Sequence, residues 1–260
     1  MNTDVLVPWI VHLLLIVTRV AALFTFTPLL ARPQIPNAAK IGFSLLMGFI
    51  LINLFPPPAE YPYGNLYALA FAVVCELSVG LVIGFITSLF FNAVYTAAHI
   101  IDMQIGFSMA QMYDVTAGTQ VAVTSQLLNT ALVVSFVFSG GLNRLIELIA
   151  RSFAVIPVGA GVLRPEIAGL VAEEFTRCFV IALQISMPVL ASALLAEVAL
   201  GVVVRTAPQM NVFVVGIPLK VILGLFILML SMPVFVTFSE TVFAKMFDAI
   251  DRVVTGGMVP

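Results

Sequence analysis

Hydrophobic and polar positions divide the chain into about six apolar segments separated by short breaks. The first covers residues 5–27 and ends at Thr27-Pro28, where a proline-rich connector carrying Arg32, Pro33, Pro36 and Lys40 begins. The second, residues 41–55, is stopped by Pro56-Pro57-Pro58, because proline lacks an amide hydrogen and its ring clashes with the preceding helical turn. A turn with interfacial tyrosines follows, Tyr61-Pro62-Tyr63-Gly64-Asn65. The third run, residues 66–98, contains Glu76 as its one charge. As one helix it would be about 50 Å long, against a hydrocarbon layer of roughly 30 Å, so it must tilt, bend or leave the bilayer.

The later pattern is more broken. Residues 123–142 form a fourth apolar run interrupted by Ser139-Gly140-Gly141, after which Arg144, Glu147 and Arg151 give a charged helix face. Pro157, Gly159 and Gly161 mark a connection, and Pro165-Glu166 reads as the first turn of a new helix, with proline and acid where both are favoured. Glu173, Glu174 and Arg177 make that region amphipathic and interfacial. The fifth run passes a kink at Met187-Pro188, the sixth includes Pro218 and a further kink at Ser231-Met232-Pro233, and a tail with Lys245, Asp248, Asp251 and Arg252 ends the chain.

Within the third run Glu76, Gly80, Gly84, Ser88, Asn92 and Thr96 recur every four residues. Small side chains on such a row let another backbone approach, so the row reads as a packing surface, either within a bundle or between subunits. The stretch 99–120, HIIDMQIGFSMAQMYDVTAGTQ, then breaks the apolar pattern and reads as a loop. Gly106 and Gly118 free its backbone, while Phe107, Met109 and Met112 keep it soft and apolar around Ser108. It suits a conformable plug, although composition alone favours methionines that fill core gaps. His99 and Asp102 are spaced to share a helix face as a hydrogen-bonded pair, which is too few groups for a metal site.

The segment around residues 195–224 organises the chain. Two apolar arms meet at the reversal Ala207-Pro208-Gln209-Met210-Asn211, with Pro208, Gln209 and Asn211 as the turn. Glu197, Gly201 and Arg205 share one ridge of the first arm, and Gly216, Lys220 and Gly224 share one ridge of the second. Glu197 and Lys220 lie about equally far from the reversal, at roughly 15 Å, so an antiparallel hairpin is expected to pair them.

Composition fixes the solvent. Of 260 residues, 62% are hydrophobic and 9% charged, where a globular domain carries about 25% charged residues. A net charge of -2 supplies no basic field for nucleic acid. Cys75 and Cys178 each sit inside apolar runs and read as small core residues. Asp4 and Arg19 argue against a cleaved leader, and the spread of Lys and Arg sets no orientation.

These strings together resemble the FliR family of flagellar biosynthetic proteins, whose relatives (SpaR, YscT, HrcT) are components of virulence type III secretion systems. The resemblance covers essentially the whole chain. Its most specific part is Gly201, Arg205, Ala207-Pro208-Gln209, Phe213, Gly216 and Pro218 in the family's spacing. Pro28, Ile35-Pro36 with Lys40, Gly106-Phe107-Ser108 and Ile156-Pro157-Val158-Gly159 support it. The chain departs from the family at Val115, where many relatives have proline, and at Ser139, where relatives often have asparagine.

The resemblance implies an all-α integral membrane protein of about six long, kinked apolar helices and no enzymatic activity, cofactor or metal. It implies a FliP-like part over residues 1–177, with a plug segment at 103–120, and a FliQ-like hairpin and tail over residues 178–260. Such proteins assemble as hetero-oligomers with FliP and FliQ into a closed channel for unfolded export substrates, beside FlhB and FlhA, in the bacterial inner membrane at the flagellar basal body or its virulence counterpart. On that basis Gly106 and Gly118 would hinge a seal of Phe107, Met109 and Met112, reversing the choice that composition favours. Glu197, Arg205 and Lys220 would fix the hairpin or bridge it to a neighbour. One rival is a stand-alone secondary transporter with Glu76, Glu197, Arg205 and Lys220 around a midplane substrate site. An intramembrane enzyme is weaker, since no GxSxG, HExxH or paired-carboxylate motif is present.

Overall fold

The computed structural model describes residues 3–28, 31, 35–58, 65–107, 123–162, 164–207 and 212–258. Every regular element among them is helical: α1 (Thr3–Phe26), α2 (Asn37–Leu54), α3 (Leu66–Ile105), α4 (Val123–Phe138), α5 (Gly141–Val155), α6 (Glu166–Thr206) and α7 (Val212–Gly257). Five are long and apolar enough to cross a membrane, or six if α4 and α5 count together as one broken span. The break comes at Gly140, which adopts a left-handed φ of 74°, a conformation open to glycine without a side-chain clash.

The prolines act as the pattern predicts at element ends. Phe55 closes α2 by donating its backbone N–H to Leu51 O at 2.8 Å before the Pro56 stop, and Glu166 opens α6 directly after Pro165. Inside helices they are accommodated: α6 runs through Pro188, and α7 through Pro218 and Pro233, as single helices. Helix α3 continues to Ile105, beyond the boundary at residue 98 drawn from the sequence. Residues 99–105 of the expected loop, the first of the expected plug segment among them, are therefore helical, and the turn comes at Gly106. His99 and Asp102 do not break the helix, because a buried face can accept isolated polar residues while the i→i−4 ladder stays intact.

The helices group into two compact units. The first comprises α1, α2, α3 as far as Phe90, α5, α6 as far as Phe175 and α7 from Ala244. Its core includes Leu15, Ile16 and Val20 of α1 with Ile83 and Ile86 of α3, all 1% exposed or less. The second takes the rest of α3, α4, α6 from Thr176 and α7 up to Phe243. At its centre Phe91, Phe136 and Phe243 stack as a triad with ring centroids 5.0 to 6.3 Å apart, the tilted and edge-on geometry that aromatic quadrupoles favour.

Much apolar surface stays uncovered. In the most apolar windows of α6 and α7, only 22% and 17% of residues are buried, so lipid or other chains must cover the remainder. Helices of 41 and 46 residues are about 60 and 70 Å long, roughly twice the hydrocarbon thickness.

Candidate functional site

The most enclosed charges lie in the first unit. Arg19 on α1 and Glu76 on α3 are 1% and 0% exposed. Arg19 Nε donates to Glu76 Oε2 at 2.5 Å and Nη2 donates to Oε1 at 2.9 Å, the bidentate fork that matches a guanidinium to a carboxylate. The remaining guanidinium hydrogens go to carbonyls at the end of α5: Ser152 O at 3.0 Å, and Ile156 O at 3.1 Å from both Nη atoms. Those carbonyls lie at the C-terminal end of α5, where Ser152 O also accepts the Ile156 N–H at 2.9 Å and a helix leaves carbonyls to be satisfied from outside. Glu76 Oε1 also accepts the N–H of Gly159 at 2.6 Å, and Gly159 reaches it with a left-handed φ of 80°. The guanidinium lies 4.0 Å from the centre of the Phe153 ring. Three elements and a loop are thus tied by one ion pair whose hydrogen-bonding capacity is nearly filled, which is what a buried pair requires.

The small-residue row of α3 divides in two. A side chain at Gly80 would collide with Arg19 O, and one at Gly84 would meet Leu23 O and Phe26 Cβ, both at 2.8 Å. Glu76, Gly80 and Gly84 therefore form the seat of α1. Ser88 is half-buried and Asn92 exposed. An every-fourth row drifts by about 40° per step around an α-helix, roughly 160° from Glu76 to Asn92, so one row cannot keep facing one partner. Within this chain the first half of the row, Glu76 to Gly84, is the part seated on α1.

In the second unit, Lys220 Nζ on α7 donates to Glu197 Oε1 on α6 at 2.5 Å. The side chains are 22% and 45% exposed, so this pair sits at a rim. Arg205 is exposed and has no ion pair among the described residues; the structure does not bring it to the other two. Glu197 and Lys220 border a cavity of about 430 Å³, shared with Gly201, Gly216, Met103 and Gly106. Gly201 has open space where a side chain would stand, whereas Gly224 leaves room for Ile105. The end of α3 therefore packs on the hairpin and directs the chain at Gly106, whose φ is 95°. Phe107 is half-buried. Ser108, Met109, Met112 and Gly118 of the plug, and Pro208, Gln209 and Asn211 of the turn, lie outside the described residues.

One further expectation changes. His99 and Asp102 do not hydrogen-bond to each other: His99 packs edge-on against Tyr95 at 4.5 Å, while the buried Asp102 carboxylate is approached by the Thr124 backbone. Cys75 and Cys178 are both buried, as small core residues would be, and neither is in a disulfide among the described residues. The Arg19 to Glu76 joint was missed by sequence reasoning, which treated Arg19 only as an interruption. The available signal was a lone cation in the first apolar segment and a lone anion in the third, since an isolated charge in an apolar helix needs a partner.

This is an integral-membrane-type helical protein whose charges serve as joints between helices. The chain belongs to the bacterial export proteins, family 1, whose family model matches residues 10–246. It is 34% identical over 235 residues to the flagellar biosynthetic protein FliR of Bacillus subtilis, covering 89% of this chain and 90% of that protein. It is 27% identical over 237 residues to FliR of Escherichia coli, covering 91% and 90% respectively. It is also 27% identical over 234 residues to the secretion system apparatus protein SsaT of Salmonella typhimurium, covering 86% of this chain and 88% of the relative.

Proposed function

We propose that this protein is a core subunit of a type III protein export gate in the bacterial inner membrane, forming with FliP- and FliQ-type subunits the channel that passes unfolded proteins, with FlhA- and FlhB-type neighbours. The observation that carries the proposal is the bareness of the α6 and α7 hairpin: long, apolar helices with 22% and 17% of their most apolar windows buried. Helices twice the length of a bilayer span cannot hide all of that surface in lipid, so part of it is a subunit interface. The names of the relatives, flagellar and secretion-apparatus alike, supply the machine. Residues 1–177 act as the FliP-like part and residues 178–260 as the FliQ-like hairpin with its tail. The segment opened by Gly106 and Phe107 closes the pore. The role is structural and conductive, without catalysis.

A stand-alone transporter is not favoured. Both oxygens of Glu76, a required member of its substrate site, are occupied by Arg19 and Gly159. Co-expression with the FliP- and FliQ-type proteins of the same source, followed by detergent purification and native mass spectrometry, tests the proposal. A stable mixed complex is expected. A chain that purifies alone, indifferent to those partners, would overturn it.

A further inference from the structure

An apolar trough of two cavities that share Leu81 lies along α1 and α3 of the first unit, and Arg164 lines the second. Two cavities make it up, of about 600 and 550 Å³, adjoining at Leu81, which lines both. The first follows α1 from Ile10 to Thr25 and the second is lined by Phe26, Phe85 and Arg164 among others. From Ile10 to Phe26 the trough is about 24 Å long at the rise of an α-helix, more than the roughly 15 Å of one leaflet, half the hydrocarbon layer. Its walls include large exposed apolar side chains: Ile10 at 61%, Leu14 at 50%, Phe26 at 43% and Phe85 at 39%. The polar side chains on the α1 wall are hidden in place. Thr18 Oγ1 donates to Leu14 O, and Thr25 Oγ1 to Ala21 O, each at 2.8 Å, so neither hydroxyl asks for water.

Among the described residues, Arg164 is the one charged residue lining the second cavity. Its backbone is fixed, because its N–H donates to Gly257 O at 3.1 Å. Its side chain is exposed and has no ion-pair partner among the described residues. The charge complement of a long apolar slot lined by one guanidinium is an amphiphile with a long tail and an anionic head.

We infer that the trough is a binding site for a single anionic phospholipid, with an acyl chain lying along α1 and α3 and the headgroup phosphate on Arg164. The inference rests on the membrane placement given under Proposed function. A bidentate guanidinium suits a phosphate oxygen pair better than a zwitterionic headgroup whose own ammonium competes for it.

The test uses the full chain purified with its co-expressed partners, delipidated in detergent and titrated with phosphatidylglycerol or phosphatidylcholine of identical acyl chains. Adducts are counted by native mass spectrometry. Phosphatidylglycerol is expected to be preferred about fivefold, the factor that one basic side chain contributes at an anionic surface. Arg164→Gln, at an exposed position, is expected to abolish the preference and leave the weaker tail-driven adduct. Ala168→Phe, which fills the trough beside Arg164, is expected to lower both adducts while the complex still forms. Excess inorganic phosphate is expected to leave the adducts in place. Equal binding of the two lipids by the unaltered complex, a preference surviving Arg164→Gln, or displacement by phosphate alone would each overturn the site. Failure of the complex to form would instead count against the gate assignment.

Discussion

Arg19 and Glu76 are 1% and 0% exposed and share their hydrogen bonds with Ser152, Ile156 and Gly159. Lys220 and Glu197 are 22% and 45% exposed and are joined by a single hydrogen bond. Both pairs cross between helices that have little other polar glue, yet they sit at opposite extremes of solvation. In the first, water has been replaced by a full set of protein partners, so neither charge can be lost alone. In the second, solvent screens the pair, and its energy within one chain is small. The first unit is thus a finished joint, whereas the hairpin holds an ion pair at the edge of an open cavity. A pair of that kind gains strength only when something else covers it.

The comparison breaks most visibly at Glu76. Glu76→Ala leaves a buried guanidinium without its anion and is expected to destabilise the chain by about 3–5 kcal/mol. Thermal unfolding in detergent, read by tryptophan fluorescence or by retention of monodisperse protein, measures it. The double substitution Arg19→Met with Glu76→Met is expected to recover most of that loss, since apolar residues of similar volume often replace a buried pair without penalty. Recovery of nothing would mean that the carbonyl and Gly159 contacts, not the charge balance, hold the joint.

A step down in size comes at Gly80, where an added side chain meets Arg19 O and Ala22 Cβ. Gly80→Val is expected to lose about 1–3 kcal/mol through overpacking against backbone that cannot move aside. Gly42 is the control, because nothing lies within 4 Å of its missing side chain. Gly42→Ala is expected to raise stability by up to about 1 kcal/mol through helix propensity alone. Equal loss at both glycines would show that the α1 to α3 approach is not special.

The two pairs also differ in how far the sequence revealed them. Glu197 and Lys220 flank one turn, so rise per residue and a proline reversal suffice to place them at one depth. Arg19 and Glu76 are 57 residues apart, and the register of α1 on α3 is set by Gly80 and Gly84 against backbone atoms that no local period encodes. The helices themselves were legible because apolar runs bounded by proline and glycine need no tertiary information. Their ends were less so: α3 passed through His99 and Asp102 because tertiary packing, not polarity, decides where a buried helix stops. The row from Glu76 to Asn92 was legible as a packing surface, but not which partner each part meets: its first half seats α1, and a period of four turns the second half away because it is not a period of 3.6. Arg205 shares a ridge with Glu197 but faces outward, for the same reason that spacing fixes direction only along one helix.

At the hairpin the expected effects are smaller and depend on assembly. A double-mutant cycle on Glu197→Gln and Lys220→Met in the isolated chain is expected to give a coupling of about 0.2–1 kcal/mol, the range for pairs that water still reaches. If the proposed FliP- and FliQ-type partners cover the cavity, the same cycle in the complex is expected to exceed that range, because solvent is then stripped from both charges. A coupling that is the same in both states would mean that the cavity stays wet after assembly, and the contrast between the two pairs would then be fixed within the chain.

The smallest effect on the chain itself is expected at Arg205. It is exposed and outside the Glu197 to Lys220 pair, so Arg205→Ala is expected to change thermal stability by no more than about 0.5 kcal/mol. Its position nevertheless matters to the comparison. Arg205 lies in the last turn of α6, where a cation is favoured by the negative end of the helix dipole, and a free guanidinium on an apolar hairpin is a poor thing to leave facing lipid. If the hairpin meets a neighbouring subunit there, Arg205→Ala lowers the yield of mixed complex while leaving the melting of the isolated chain untouched, and Arg205→Lys restores only part of the yield because an ammonium cannot reproduce a fork. If yield and melting both stay unchanged, Arg205 serves the helix end alone. The open side of the hairpin would then have to be held by its apolar surface and the Glu197 to Lys220 pair without help from a third charge.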